Sequence, residues 1–159
     1  QAGIEALSLG QAAASRLPEE LGQTLRTELR QYGAPVHIIR TVPARMKYDR
    51  EEIHVTAGES IRLIFENNDT MPHNLVLVTI GSREEVGRAA DEMATQPRAW
   101  EKGYVPESKK VLQATRLLKP GESELLTFNV PVKPGKYEFV CTFPGHWRTM
   151  YGVFNVNPG

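Results

Sequence analysis

Tyr137-Glu138-Phe139-Val140-Cys141-Thr142-Phe143-Pro144-Gly145-His146-Trp147-Arg148-Thr149-Met150 decides the reading of this chain. Its first half alternates: Tyr137, Phe139 and Cys141 share one parity, the period-2 mark of a strand with one face on a core. Cys141 therefore points inward at the strand's end, shielded from water. Its second half is a short loop kept tight by Pro144-Gly145, and along it a thiol, an imidazole and a thioether fall at offsets of five and then four residues. Copper is the ion that suits this set. Two His and one Cys in a trigonal plane, with a Met held weakly on the axis, serve Cu(I) and Cu(II) alike. The second His is expected at His73, in Met71-Pro72-His73-Asn74-Leu75-Val76-Leu77, at the mouth of an apolar run.

The alternation extends outward from this stretch. Ile61, Leu63 and Phe65 alternate with Arg62 and Glu66, and Leu126, Phe128 and Val130 with Thr127 and Asn129. Turn signals at Ala57-Gly58, Asn67-Asn68-Asp69, Lys119-Pro120-Gly121 and Lys133-Pro134-Gly135 separate the strands at intervals typical of an all-β sandwich. Two segments break the pattern. Ser82 to Thr95 places Val86, Ala89, Ala90 and Met93 on a helical face, with Ser82 and Glu85 spaced as a capping box. Near the N-terminus, Pro18-Glu19-Glu20 opens a helix in which Leu17, Leu21, Leu25 and Leu29 recur every four residues until Gly33 stops it, a stripe expected to pack on the side of the barrel.

On these residues the chain resembles the azurins and, more broadly, the blue-copper cupredoxins. The Cys-Thr-Phe-Pro-Gly-His segment with Met four residues after the His is similar to the azurin copper loop, and residues from about Val36 to Val156 follow azurin order. Arg45-Met46-Lys47-Tyr48 stands near the start, and a helical insertion precedes Lys109-Lys110-Val111-Leu112. Two positions depart from azurin: Pro72 stands where azurin has a Gly before the upstream His, and a single Cys cannot make azurin's disulfide. The resemblance implies a Greek-key β-sandwich with a helical insertion over residues 34–159, preceded by a helical extension or linker over residues 1–33. It implies one type 1 copper ion on His73, Cys141, His146 and Met150, with Pro72 as the candidate for a weak backbone contact. Asn74, Thr142 and Phe143 are the expected second layer: Asn74 is the natural residue to tie the two ligand-bearing loops together by hydrogen bonds, and the N–H groups of Asn74 and Phe143 are candidate donors to the sulfur.

The function expected is electron transfer by Cu(I)/Cu(II) cycling, not enzymatic catalysis, in a periplasmic or otherwise extracytoplasmic setting. His146 is the expected gateway. The apolar neighbours Met71, Pro72, Phe143, Pro144 and Trp147 form a candidate docking patch for a redox partner such as a cytochrome or a dehydrogenase. The start at Gln1, without Met or signal sequence, implies a processed product or a piece of something longer, and the domain could be the electron-accepting module of a larger bacterial redox chain. The alternative is a copper carrier or sensing module with no electron-transfer partner.

Composition excludes several classes. Nineteen basic and nineteen acidic side chains leave no net charge, and no basic run exists for nucleic acid. No apolar stretch approaches the roughly 20 residues of a membrane span. Structural zinc takes four Cys or His ligands and has little use for Met. A Cys protease leaves Met150 unexplained. Of four His, two remain after the copper ligands, His37 and His54, too few for a three-His catalytic copper; both are expected to be structural or exposed.

Overall fold

The computed structural model describes residues 2–159. Among the described residues, nine strands form two sheets that face one another. β1 (Val36–Val42), β2 (Lys47–Tyr48), β4 (Ser60–Glu66) and β7 (Ser123–Asn129) make one, in the order β2-β1-β4-β7. β3 (Glu52–Thr56), β5 (Val76–Val78), β6 (Val111–Ala114), β8 (Gly135–Val140) and β9 (Tyr151–Asn157) make the other, in the order β3-β9-β8-β5-β6. β1 runs parallel to β4 and β3 parallel to β9; the other pairs are antiparallel.

The expected alternation places the core. Ile61, Leu63 and Phe65 are buried on β4, and across the ladder Ile61 pairs with Phe128 and Leu63 with Leu126. Tyr137, Phe139 and Cys141 turn inward together and join Phe65, Leu77, Met150 and Phe154 in one apolar cluster between the sheets. The other face of β5 and β8 is also dry. Val76, Val78 and Val140 pack against Val86 and Trp147 beneath α3 (Arg83–Met93), so β5 is buried on both faces and reads as an unbroken apolar run rather than an alternating one. The α3 boundary at Ser82 is as expected, but its chemistry is not: the Ser82 hydroxyl pairs with that of Thr79 at 2.7 Å and makes no side-chain cap.

The N-terminal segment holds two helices, α1 (Ala2–Ala14) and α2 (Glu19–Leu29). α1 covers the edge of β1 that two-residue β2 does not reach, where Ser8 Oγ accepts the Ile38 N–H at 3.0 Å and Glu5 pairs with Arg40 at 2.7 Å. A covered edge cannot recruit a foreign strand. The leucine stripe of α2 does not lie on the barrel: Leu17 and Leu21 are exposed, and the helix turns Gly22 and Arg26 inward. The reason is the close approach of α1. A Cβ on Gly22 would lie 2.5 Å from the Ala14 carbonyl oxygen, so only glycine fits there. No described helix is long and apolar enough to cross a membrane.

Candidate metal centre

Three segments converge at one end of the sandwich. His73 is held by a two-way backbone bridge to Leu118, with N–H to carbonyl distances of 3.1 and 2.8 Å. Cys141 follows β8, its N–H donating to the Met150 carbonyl at 3.0 Å, which closes the loop that carries His146. His146 opens a single 3₁₀ turn, His146–Arg148, after Gly145 at φ 81°, a left-handed turn suited to glycine. Its carbonyl accepts the Met150 N–H at 2.8 Å.

Cys141 Sγ lies 3.7 Å from His73 Nδ1 and 3.7 Å from His146 Nδ1. The three atoms are mutually within 4.8 Å, and all three residues are buried. A first-row ion about 2.3 Å from sulfur and 2.0–2.1 Å from nitrogen, at trigonal angles, spans an S···N edge of about 3.7–3.8 Å. The two S···N edges match that span. Met150 is fully buried in the same cluster as Cys141, and Pro72 is half-buried beside His73.

Electrostatics agree with the geometry. Burial pushes the Cys141 thiol up to about 12, although the N–H groups of Asn74 and Phe143 pull the other way. Burial, and then His73, holds the His146 imidazole down at about 4, and burial lowers His73 as well. Burial thus favours the uncharged form of all three groups, and a bound cation is what would stabilise the thiolate there.

The surrounding bonds tie the two loops. The Asn74 side chain donates to the Thr142 hydroxyl at 2.7 Å and to the Gly103 carbonyl at 2.8 Å, and accepts the Thr142 N–H at 2.8 Å; Tyr48 donates its hydroxyl to the Asn74 carbonyl at 2.7 Å. His73 Nε2 meets Asp69 Oδ2 at 3.0 Å. Asp91, on α3, accepts from the Gly145 N–H, the Trp147 indole and Arg148 at 2.8, 2.9 and 3.0 Å. Sequence alone missed both carboxylates. Asp69 carried a readable signal, four residues before His73, whereas Asp91 meets its partners only through the packing of α3.

The expected patch needs one correction. Trp147 is buried: its ring lies so close to α3 that a Cβ on Gly87 would come within 2.3 Å, so it offers no docking surface. Met71 is exposed and Pro144 half-buried. Phe143 lies 4.8 Å from His146 ring to ring, followed by Tyr104 at 5.4 Å and by exposed Trp100 at 6.3 Å from Tyr104. His37 and His54 take no part; burial, then Arg50 and His54, holds His37 at about 4, and His54 pairs with Glu52 at 3.2 Å.

The chain is similar to auracyanin-A of Chloroflexus aurantiacus, 32% identical over 114 residues that make up 70% of this chain and 68% of the relative. It is 32% identical to auracyanin-B of the same organism over 76% of this chain and 51% of the relative, and 36% identical to azurin of Pseudomonas aeruginosa over 55% and 58%. Among solved structures, the dithionite-reduced auracyanin of Roseiflexus castenholzii superposes with a TM-score of 0.69 at 32% identity, covering 79% of this chain and all of that one. Auracyanin A of Chloroflexus aurantiacus, described as a blue copper protein, gives 0.69 at 29% identity over the same shares. These likenesses establish a cupredoxin β-sandwich. The sequence family of copper binding proteins, plastocyanin/azurin family, matches residues 38–157, and with the His/Cys/His triangle at the end of the sandwich the chain belongs to that family.

Proposed function

We propose that the chain is an electron carrier, not an enzyme, which holds one type 1 copper ion between His73 Nδ1, Cys141 Sγ and His146 Nδ1 with Met150 as the weak axial donor. One observation carries this: the two Nδ1 atoms stand 3.7 Å from the sulfur of the single cysteine, and all three residues are buried. Copper, when bound, supplies a one-electron couple that this ligand set accommodates in both oxidation states. The protein's part is to hold its ligands still. Asn74 and Thr142 lock the His73 loop to the Cys141 loop, Asp91 locks the His146 turn to α3, and the N–H groups of Asn74 and Phe143 stabilise the electron-rich sulfur.

Electrons pass at the His146 edge, because His73 is wholly enclosed while His146 keeps a small exposed margin, 5%. The partner is a redox protein that docks on Met71, Pro144 and Trp100 in an extracytoplasmic compartment; with no net charge, apolar contact outweighs long-range steering. Residues 34–159 are the copper domain, and the residues before them an extension whose α1 shields the edge of β1. A Cu(II) titration followed by absorption tests the assignment. An intense thiolate-to-copper band is expected, and Cys141→Ser abolishes it; a band that survives the substitution overturns the site. A reduction potential in the range of natural partners with fast self-exchange separates the carrier of electrons from a carrier of copper.

A further inference from the structure

Asp69 is enclosed with His73: their side chains are 3% and 0% exposed. Its two oxygens have different partners. Oδ1 accepts the backbone N–H of Ala44 at 3.0 Å and of Thr70 at 2.7 Å, while Oδ2 meets His73 Nε2 at 3.0 Å. The loop beneath is pinned by buried Asn67, which donates to the Met71 and Leu118 carbonyls at 2.8 and 2.9 Å and accepts the Asp69 N–H at 3.1 Å. Oδ1, which holds two N–H donors, is an acceptor only, and a carboxyl group is ordinarily ionised at neutral pH.

An ionised carboxylate has no proton to give, so the hydrogen it shares with the imidazole sits on Nε2. A neutral imidazole has only one such hydrogen. Nδ1, the atom aimed at Cys141, is therefore left with its lone pair free. A full negative charge behind the ring also favours the more positive state of whatever ion the ring holds.

We propose that Asp69 is a positioning residue for the copper centre: it fixes His73 in the tautomer that presents Nδ1, and it biases the site toward Cu(II). The proposal rests on His73 being a ligand, as assigned above. A backbone carbonyl in the same place would set the tautomer but not the charge.

The arrangement makes Asp69→Asn a severe change despite its shape. Two backbone N–H groups require an oxygen at the Oδ1 position, so the new amide nitrogen faces Nε2 and donates to it. His73 must then accept at Nε2 and carry its proton on Nδ1, where it blocks the site. Asp69→Ala removes the partner without forcing that exchange.

The tautomer is read without copper, from imidazole nitrogen chemical shifts in the copper-free protein. Wild type is expected as Nε2–H and Asp69→Asn as Nδ1–H. Cu(II) affinity should fall about 10–100-fold in Asp69→Asn. In Asp69→Ala, Cu(II) should weaken about tenfold relative to Cu(I), a rise in potential of about 59 mV for this one-electron couple. A wild-type proton on Nδ1 overturns the proposal, as does a folded Asp69→Asn that keeps Nε2–H and wild-type affinity. An unchanged potential in Asp69→Ala overturns the charge effect. Should Asp69→Asn not fold, the wild-type spectrum and Asp69→Ala still decide. Failure of the wild-type protein to take copper would sink the site assignment instead, leaving the copper-free tautomer intact.

Discussion

Asp91→Ala removes three hydrogen bonds that latch α3 to the loop carrying His146. The bond from the Trp147 indole, 2.9 Å and part-buried, is the strongest, because the indole nitrogen loses a charged acceptor in a place water reaches poorly. It is worth about 2 kcal/mol. The Gly145 N–H, 2.8 Å from Oδ1 but open to solvent, adds about 0.5–1 kcal/mol. Arg148 is more than half exposed and adds little. Alanine returns about 0.5 kcal/mol of helix propensity. The net loss is about 2–3 kcal/mol, which in a domain of this size lowers the melting temperature by about 5–10 °C.

The pH dependence identifies the cause. Burial raises the Asp91 carboxyl, but the Trp147 and Gly145 N–H groups and Arg148 more than offset it and hold the group below its ordinary 3.8. A carboxyl with a lowered native pKa stabilises the fold at all pH values above its unfolded one and loses that contribution as pH falls through the native one. The gap between wild type and Asp91→Ala should thus stay constant from neutrality down to about pH 5 and narrow as pH falls below about 4. Thermal unfolding of the copper-free proteins by circular dichroism measures it. A gap under 1 °C at neutral pH, or one that persists unchanged at pH 3, would refute the latch.

Gly87→Ala tests the same interface from the opposite side: alanine gains about 1 kcal/mol of helix propensity, but its Cβ would lie 2.3 Å from the Trp147 ring, which Asp91 prevents from moving. Overpacking of about 1–3 kcal/mol should win, leaving the variant less stable in denaturant titration; a variant as stable as wild type means the ring yields freely. His146→Gly should leave a copper site that added imidazole refills from solvent, restoring the absorption band, whereas His73→Gly, walled in by the Asn67 loop and the Leu118 bridge, should be rescued poorly. Equal rescue at both positions contradicts the gateway at His146.

What could be read from the sequence, and what could not, divides by distance along the chain. Cys141, His146 and Met150 fall within ten residues on one loop, so spacing alone marks them as a candidate set, and the parity of Tyr137 and Phe139 fixes which way Cys141 faces. His73 needed the second strand. Its carboxylate partner was visible only as a turn signal, because the same Asn67-Asn68-Asp69 that marks a turn also builds the buried cradle behind the imidazole. α1 was not legible at all: Ser8, Gln11 and Ala14 are its buried face, small and polar groups that carry no apolar period. That hidden helix is also why the α2 leucines mislead, since α2 packs on α1 through glycine rather than on the barrel through leucine. Trp147 misled for a related reason. Beside His146 in sequence, it belongs in space to Asp91, Gly87 and Val86, more than fifty residues earlier. The loop that carries His146 is therefore held by its own Pro144-Gly145 turn and also by a helix inserted between β5 and β6.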